Sequence, residues 1–311
     1  MKRNTTRKTL ATLALACMAM AMTPFNALAD SQVTSARIFG ADRFGTAVAV
    51  ANTGWTVTNT AILAPADDAN MIYALEAAPL AGKASPILLT DKNWLSAATQ
   101  AELVKLGVKN VYVVGSIDQT VVDQVNAMSG VTAIVLKGAD RTDTAAAIAS
   151  KLINPAGSFV IGYSALPDAL SIASYAAANN YSILLANPDG TLPASETAYK
   201  GANTYIIGGP TLVDNIPGAT RIFGADRFAT NQAVLNAFTY SYNHVYVANG
   251  TDAHLVDSLV ASPLAAMYNA PILLTEPNGS GTIASVSTRS RLDPAAVVTA
   301  IGGVTMSDFW W

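Results

Sequence analysis

Three tetrads of the sequence read GADR: Gly40 to Arg43, Gly138 to Arg141 and Gly224 to Arg227. Each sets a carboxylate beside a guanidinium. After the first copy, Phe44, Val48 and Ala51 recur at helical spacing, so the pair stands where a helix begins, near Asp42. There Asp42, Asp140 and Asp226 can accept backbone N–H bonds as helix caps, worth about 1 kcal/mol each. Arg43, Arg141 and Arg227 fit less easily, because a cation in the first turn opposes the helix dipole at a cost of about 0.3–1 kcal/mol when exposed. Either a carboxylate from Asp42 or a neighbouring unit offsets that charge, or the arginine fork and the free helix N–H groups together hold an external phosphate or carboxylate. Both readings stand at this point. Thr46, Thr144 and Thr230 add a hydroxyl one turn along, and Gly40 permits the sharp strand-to-helix turn.

Other chemistries find less support. His254 with Asp252 and Asp257 has no known metal-ligand spacing, and His244 opens a strand as a surface residue. No nucleophile elbow, dinucleotide fingerprint or phosphate-binding loop is present. Asp67 and Asp68 read as solvated turn residues rather than an acid/base pair. Trp55 and Trp94 read as packing residues, and Trp310 and Trp311 as a packed end or an interaction tip. No metal and no cofactor is expected.

The elements that position the motif repeat with it. The copies are offset by 98 and 86 residues, lengths of small domains rather than of solenoid repeats. A second landmark follows each: Pro86-Ile87-Leu88-Leu89-Thr90, Ser182-Ile183-Leu184-Leu185-Ala186 and Pro271-Ile272-Leu273-Leu274-Thr275. A third comes later, at Val111–Gly115, Tyr205–Gly209 and Val298–Gly303. Between motif and second landmark, Pro167-Asp168-Ala169-Leu170 matches Leu255–Leu259 with Pro263-Leu264-Ala265, and Tyr73-Ala74-Leu75 with Pro79-Leu80-Ala81. Tyr73 thus replaces the acid found at Asp168 and Asp257. In the first unit the pattern predicts short strands at Ala61–Leu63, Ile87–Leu89 and Val111–Val114. It predicts helices at Met71–Ala81 and Ser96–Leu106, the latter closed by Gly107. Alternating apolar strands and helices imply an α/β fold with an open parallel sheet per unit.

Composition bounds the rest. Hydrophobic residues make 51% of the 311 and charged residues 13%, which excludes disorder and favours strands buried on both faces. Part of the excess is a leader: Lys2, Arg3, Arg7 and Lys8, an apolar run from Leu10 to Met22, and Ala27-Leu28-Ala29 form a secretory signal peptide over residues 1–29. Leu15-Ala16-Cys17 leaves a lipoprotein signal open. Cleavage after Ala29 leaves 14 basic against 21 acidic residues, a charge of −7, and no cysteine. Stability then rests on core burial without disulfides. The acidic balance argues against nucleic acid as main partner, and no further stretch is long enough to span a membrane.

With these motifs in this order, the chain resembles the cell wall binding repeat 2 family of Gram-positive bacteria over its whole mature length. The resemblance implies Rossmann- or Toprim-like repeats at residues 30–129, 130–217 and 218–311, packed in a pseudo-threefold arrangement with the ILL segments toward the contacts between repeats. It implies a secreted, non-catalytic module held at the cell surface by an anionic wall polymer, teichoic-acid-like or a phosphate-bearing polysaccharide. A secreted wall hydrolase is the alternative. Carried over by position, the family's motif falls on Asp42, Arg43 and Thr46, on Asp140, Arg141 and Thr144, and on Asp226, Arg227 and Thr230. A leading arginine matches Arg37 and Arg221 but is Val135 in the second copy, where Lys137 also replaces Phe39 and Phe223. Whether these residues bind polymer or bridge repeats is left open.

Overall fold

The computed structural model describes residues 33–251, 255–276 and 286–302. The leader with Cys17, the residues Asp252 and His254, the Asp257 side chain and the terminal Trp310 and Trp311 lie outside the described residues. No described helix is long and apolar enough to cross a membrane. The strands are β1 (Thr34–Ile38), β2 (Thr60–Pro65), β3 (Ile87–Thr90), β4 (Asn110–Val114), β5 (Thr132–Leu136) and β6 (Gly157–Ile161). They continue with β7 (Tyr181–Leu185), β8 (Asn203–Ile207), β9 (Thr220–Ile222), β10 (His244–Asn249), β11 (Ile272–Thr275) and β12 (Val297–Ile301). They form three all-parallel sheets in the orders β3-β2-β4-β5, β7-β6-β8-β9 and β11-β10-β12-β1.

The central strands are apolar throughout because helices cover both faces: Ala61, Ile62, Leu63 and Ala64 of β2 are all fully buried. The motif helices are α1 (Arg43–Gly54), α6 (Arg141–Ala149) and α9 (Arg227–Ala237). A second helix of each repeat, here called axial, packs against its counterparts in the other two. In the first repeat it is split into α2 (Ile72–Glu76) and α3 (Ala78–Ala81); in the others it is α7 (Leu166–Asn179) and α10 (Leu255–Met267). The expected continuous helix over Met71–Ala81 therefore breaks at Ala77. Pro79 has no N–H for the Leu75 carbonyl and its ring crowds it, although the matching Pro263 stays inside α10. Outer helices are α4 (Ala97–Lys105), α5 (Gln119–Asn126), α8 (Ala194–Thr197) and α11 (Val286–Arg289). Gly107 closes α4 with φ +70°, as its position predicts.

The repeats interlock cyclically. Helices α3, α7 and α10 pack on one another, and α7 and α10 bury small residues (Ala169, Ala173 and Ala176, Ala261 and Ala265). Each motif helix packs on the axial helix of the repeat before it: α6 on α2, α9 on α7, α1 on α10. Each ILL strand does the same, with β7 on α2 and α3, β11 on α7 and β3 on α10. The ILL segments thus face the contacts between repeats, as the resemblance implies.

The sequence reading counts three strands per unit, and the structure adds a fourth. The segment ahead of each motif is a strand belonging to the preceding repeat's sheet: β5 pairs β4, β9 pairs β8, and β1 pairs β12 from Thr34↔Val297 to Ile38↔Ile301. The N-terminal strand therefore completes the third sheet and closes the ring. Removing residues up to Ile38 should loosen the third repeat rather than the first. By hydrogen exchange, β12 amides are expected to lose protection by about tenfold or more while β2 and β4 keep theirs. Loss centred on the first sheet would contradict this.

Candidate functional site

Each motif is built the same way. The side chain of Asp42 accepts from the Gly45 N–H at 2.7 Å, Asp140 from Asp143 at 2.9 Å and Asp226 from Ala229 at 2.7 Å, so all three cap their helices as expected. The threonines face inward: Thr46, Thr144 and Thr230 are buried and accept from the N–H of Gly40, Gly138 and Gly224 at 3.1, 2.9 and 3.1 Å. Strand end and first helical turn are thereby tied into a closed loop. The Asp143 N–H, followed by the Thr142 hydroxyl, holds the Asp140 carboxyl below its ordinary range.

The leading arginines reach into the sheet that their own strand completes. Arg37 donates from Nε and Nη2 to the Gly302 carbonyl, at 2.9 and 2.8 Å, and stacks over Phe39. Arg221 donates from Nη1 to the Gly208 and Gly209 carbonyls and from Nη2 to those of Val213 and Asp214, at 2.8 to 3.2 Å. Val135 has no such fork. These arginines fasten the strand-end loop of the preceding repeat.

The motif arginines are half-buried; Arg43 and Arg227 each donate to the carbonyl 23 residues further on, whereas Arg141 crosses to another repeat. Arg43 donates to the Ala66 carbonyl and pairs with Asp68 at 2.8 Å, a carboxylate of its own repeat. Arg141 crosses to the first repeat, donating to the Ala69 carbonyl at 2.6 Å, and lies 5.2 Å from the centre of the Tyr163 ring. Arg227 donates to the Gly250 carbonyl of its own repeat at 2.7 Å. Asp68, read from the sequence as a solvated turn residue, is therefore the carboxylate that offsets Arg43. Its only signal was its place in the loop after a buried strand.

These loops converge. An open cavity of about 660 Å3 is lined by Arg141 and Arg227 from two repeats, by Asp68, which holds Arg43, and by Ala69, Tyr163 and Pro167. A second groove of about 510 Å3 runs along the seam between the second repeat and the third motif, lined by Asp168, Thr211, Phe223, Asp226, Arg227 and Thr230. Both lie beyond the carboxyl ends of parallel strands, where open α/β sheets place their ligands. Burial pushes the Asp168 carboxyl up, against the opposing pull of the Thr230 hydroxyl and the Arg227 charge.

The remaining candidates separate. His244 opens β10 and stacks on Tyr268 at 4.0 Å between ring centres. Trp55 is buried, whereas Trp94 is half-exposed against Phe44. Among the described residues no group of three or more His, Cys, Asp or Glu side chains is placed to hold a metal ion. Three acids buried among the described residues, Glu76 on α2, Glu102 on α4 and Glu196 on α8, were not singled out by sequence.

Comparisons with known proteins agree with this architecture. The profile of the family described as Cell wall binding domain 2 (CWB2) matches residues 37–124, 135–215 and 221–307. The chain is 30% identical over 295 residues to the N-acetylmuramoyl-L-alanine amidase LytC of Bacillus subtilis, covering 91% of this chain and 55% of that protein. It is 26% identical over 268 residues to the Amidase enhancer of the same bacterium, covering 84% and 37%. Among solved structures, Cwp6 from Clostridium difficile superposes with a TM-score of 0.79 at 28% identity, covering 88% of this chain and 46% of that one. Cwp8 from the same organism gives 0.79 at 26%, covering 89% and 51%. The chain spans about half the length, or less, of the relatives it matches. Its three interlocked motifs, and the match across all three, show that the chain belongs to the cell wall binding domain 2 family, as three tandem copies of a wall-binding module that acts at the cell wall or cell surface.

Proposed function

We propose that the chain holds an anionic wall polymer on the face where its motif arginines meet, and that it does so without catalysis. One observation carries this reading: Arg141 and Arg227 of different repeats line a single open cavity, together with the carboxylate that holds Arg43. The mature charge of −7 repels a polyanion at a distance, so attraction must be local. Guanidiniums already oriented by backbone carbonyls suit that task, because much of the cost of ordering them is met on folding. Contacts on several linked repeats let individually weak sites sum along one polymer. The likeness to an amidase covers about half of that protein and adds no weight to the hydrolase alternative.

The mature chain is expected to co-sediment with Gram-positive walls, and walls stripped of phosphate polymers should retain it about tenfold less. The double variant R141E/R227E should lose retention to a similar degree. Its thermal unfolding should stay cooperative and within a few degrees of the parent. Equal retention on stripped walls would overturn the anionic ligand, and release of peptidoglycan fragments by the purified chain would revive the hydrolase reading.

A further inference from the structure

Three departures from the repeat pattern look unrelated in sequence: Tyr73 in the first repeat, and Val135 and Lys137 before the second motif. The fold brings them to one seam. The axial helix of one repeat, its strand-end loop and the next repeat's motif form each seam. At the seam between the second and third repeats, Asp168 stands against Gly208, where an added Cβ would lie 3.1 Å from its Oδ2. Arg221 fastens the loop of residues 208–214 that walls the groove, and Phe223 stands at its edge, 48% exposed. At the seam between the first and second repeats, Tyr73 takes the place of the acid. Its buried ring lies directly on Gly115, where any Cβ would come within 2.2 Å of it, and Arg141 lies against its hydroxyl. There Val135 cannot fasten the loop, and Lys137 offers no aromatic face.

We propose that the seam between the second and third repeats is a saccharide site that takes one acidic or phosphate-bearing sugar unit of the wall polymer, and that Tyr73 plugs the corresponding seam between the first and second. This rests on the wall-polymer reading above. The groove, at about 510 Å3, falls within the size of small-molecule sites. Phe223 with Leu212, both exposed, offers an apolar surface for the C–H face of a pyranose. Asp168 and Thr211 supply partners for sugar hydroxyls at one side, and Arg227 meets the anionic substituent. The same aromatic recurs as Phe39, 57% exposed, at the seam between the third and first repeats. Binding is thus unequal among three seams built from equivalent elements.

The test titrates the mature chain, by calorimetry, with short oligosaccharides released by mild acid from walls that retain it. Phe223→Ala is expected to weaken binding about tenfold, Lys137→Ala to leave it unchanged, and Tyr73→Asp to admit one more fragment per chain. Should Tyr73→Asp fail to fold, Phe223→Ala against Lys137→Ala decides alone. Equal losses in those two variants, or none in Phe223→Ala, would overturn the seam site. If R141E/R227E still abolished wall retention in that case, the polymer reading would survive it. A parent chain that no wall retains would remove both.

Discussion

Gly138→Ala is expected to lower the melting temperature by about 5–10 °C, a loss of about 3 kcal/mol. The glycine is required by contact and not by backbone angle. An added Cβ would lie 2.3 Å from the Asp143 Cβ, 2.4 Å from its carbonyl carbon and 2.6 Å from the Thr144 nitrogen. Two of those three atoms are backbone of the first helical turn, so no side-chain rotation relieves the overlap. Moving strand end from helix also breaks the bond from the Gly138 N–H to Thr144 and disturbs the Asp140 cap. Gly40 and Gly224 face the same overlap, at 2.1 and 2.4 Å. Gly45→Ala supplies the control. Its matching residues in the other copies are Asp143 and Ala229, which carry a Cβ, and its own added Cβ would meet the Gly40 Cα at 3.3 Å and Asp42 Oδ1 at 3.4 Å, close contacts that a shift of a few tenths of an ångström relieves. That variant should be neutral or slightly stabilising, as alanine favours a helix. Thermal unfolding of both variants checks the contrast; equal losses would assign the glycines to helix propensity and not to close approach.

The parts of this molecule that sequence made legible are those in which one residue type does one local job three times. Asp42, Asp140 and Asp226 are caps because only a short acceptor can reach back to the helix N–H groups, and the ILL strands are apolar because both their faces are covered. The arginines were harder to read. Whether Arg43 meets a carboxylate of its own repeat or Arg141 crosses to the Ala69 carbonyl depends on loops that come together only in the closed ring. Which sheet takes the strand ahead of each motif was hidden for a related reason. β1 is a mostly exposed edge strand and β5 a partly exposed one, and what holds them is backbone pairing to a repeat the local pattern does not contain. The axial helices also misled, because Pro79 breaks one while Pro263 is absorbed by another.

The recurrence of the motif follows from this closure. A strand that ends in the sheet of one repeat, then turns sharply into a helix packed on that same repeat's axial helix, is a joint. Three joints close a ring of three, and β1 on β12 makes the last of them from residues 259 positions or more apart in the chain. The glycine, the aspartate and the threonine serve the joint in every copy. The arginine crosses between repeats at Arg141, and at Arg227 it lines both cavities.

Stability is expected to fall as pH rises from 5 to 8, and Glu196→Gln should flatten the dependence. Glu196 is fully buried: its Oε2 accepts from the Leu185 N–H at 2.6 Å, satisfying an edge of β7, and its Oε1 has no partner. Burial foremost, with Asp140 and Asp143 adding and the Leu185 N–H opposing, pushes its carboxyl from 4.5 up to about 9. Glu76, on the other side of the same seam, has both oxygens unpartnered. Burial pushes its carboxyl up well beyond the ordinary range; Glu196 adds to this and Arg141 opposes it. Tyr73, on the same helix, and Tyr163 facing it are further ionisable groups at this seam. The folded chain therefore keeps protons that the unfolded chain releases between pH 4.5 and about 9. Stability from this source is fully present below the lower value and gone above the upper one. Across pH 5 to 8 the loss amounts to as much as about 4 kcal/mol. Glutamine keeps an oxygen for the Leu185 N–H and cannot ionise, so Glu196→Gln should match the parent near pH 5 and exceed it at pH 8. Alanine would instead leave the Leu185 N–H buried without a partner and destabilise at every pH. Urea unfolding of parent and glutamine variant at pH 5, 6.5 and 8 decides: parallel curves would mean that Glu196 is ionised in the folded chain and that water or a cation reaches the seam.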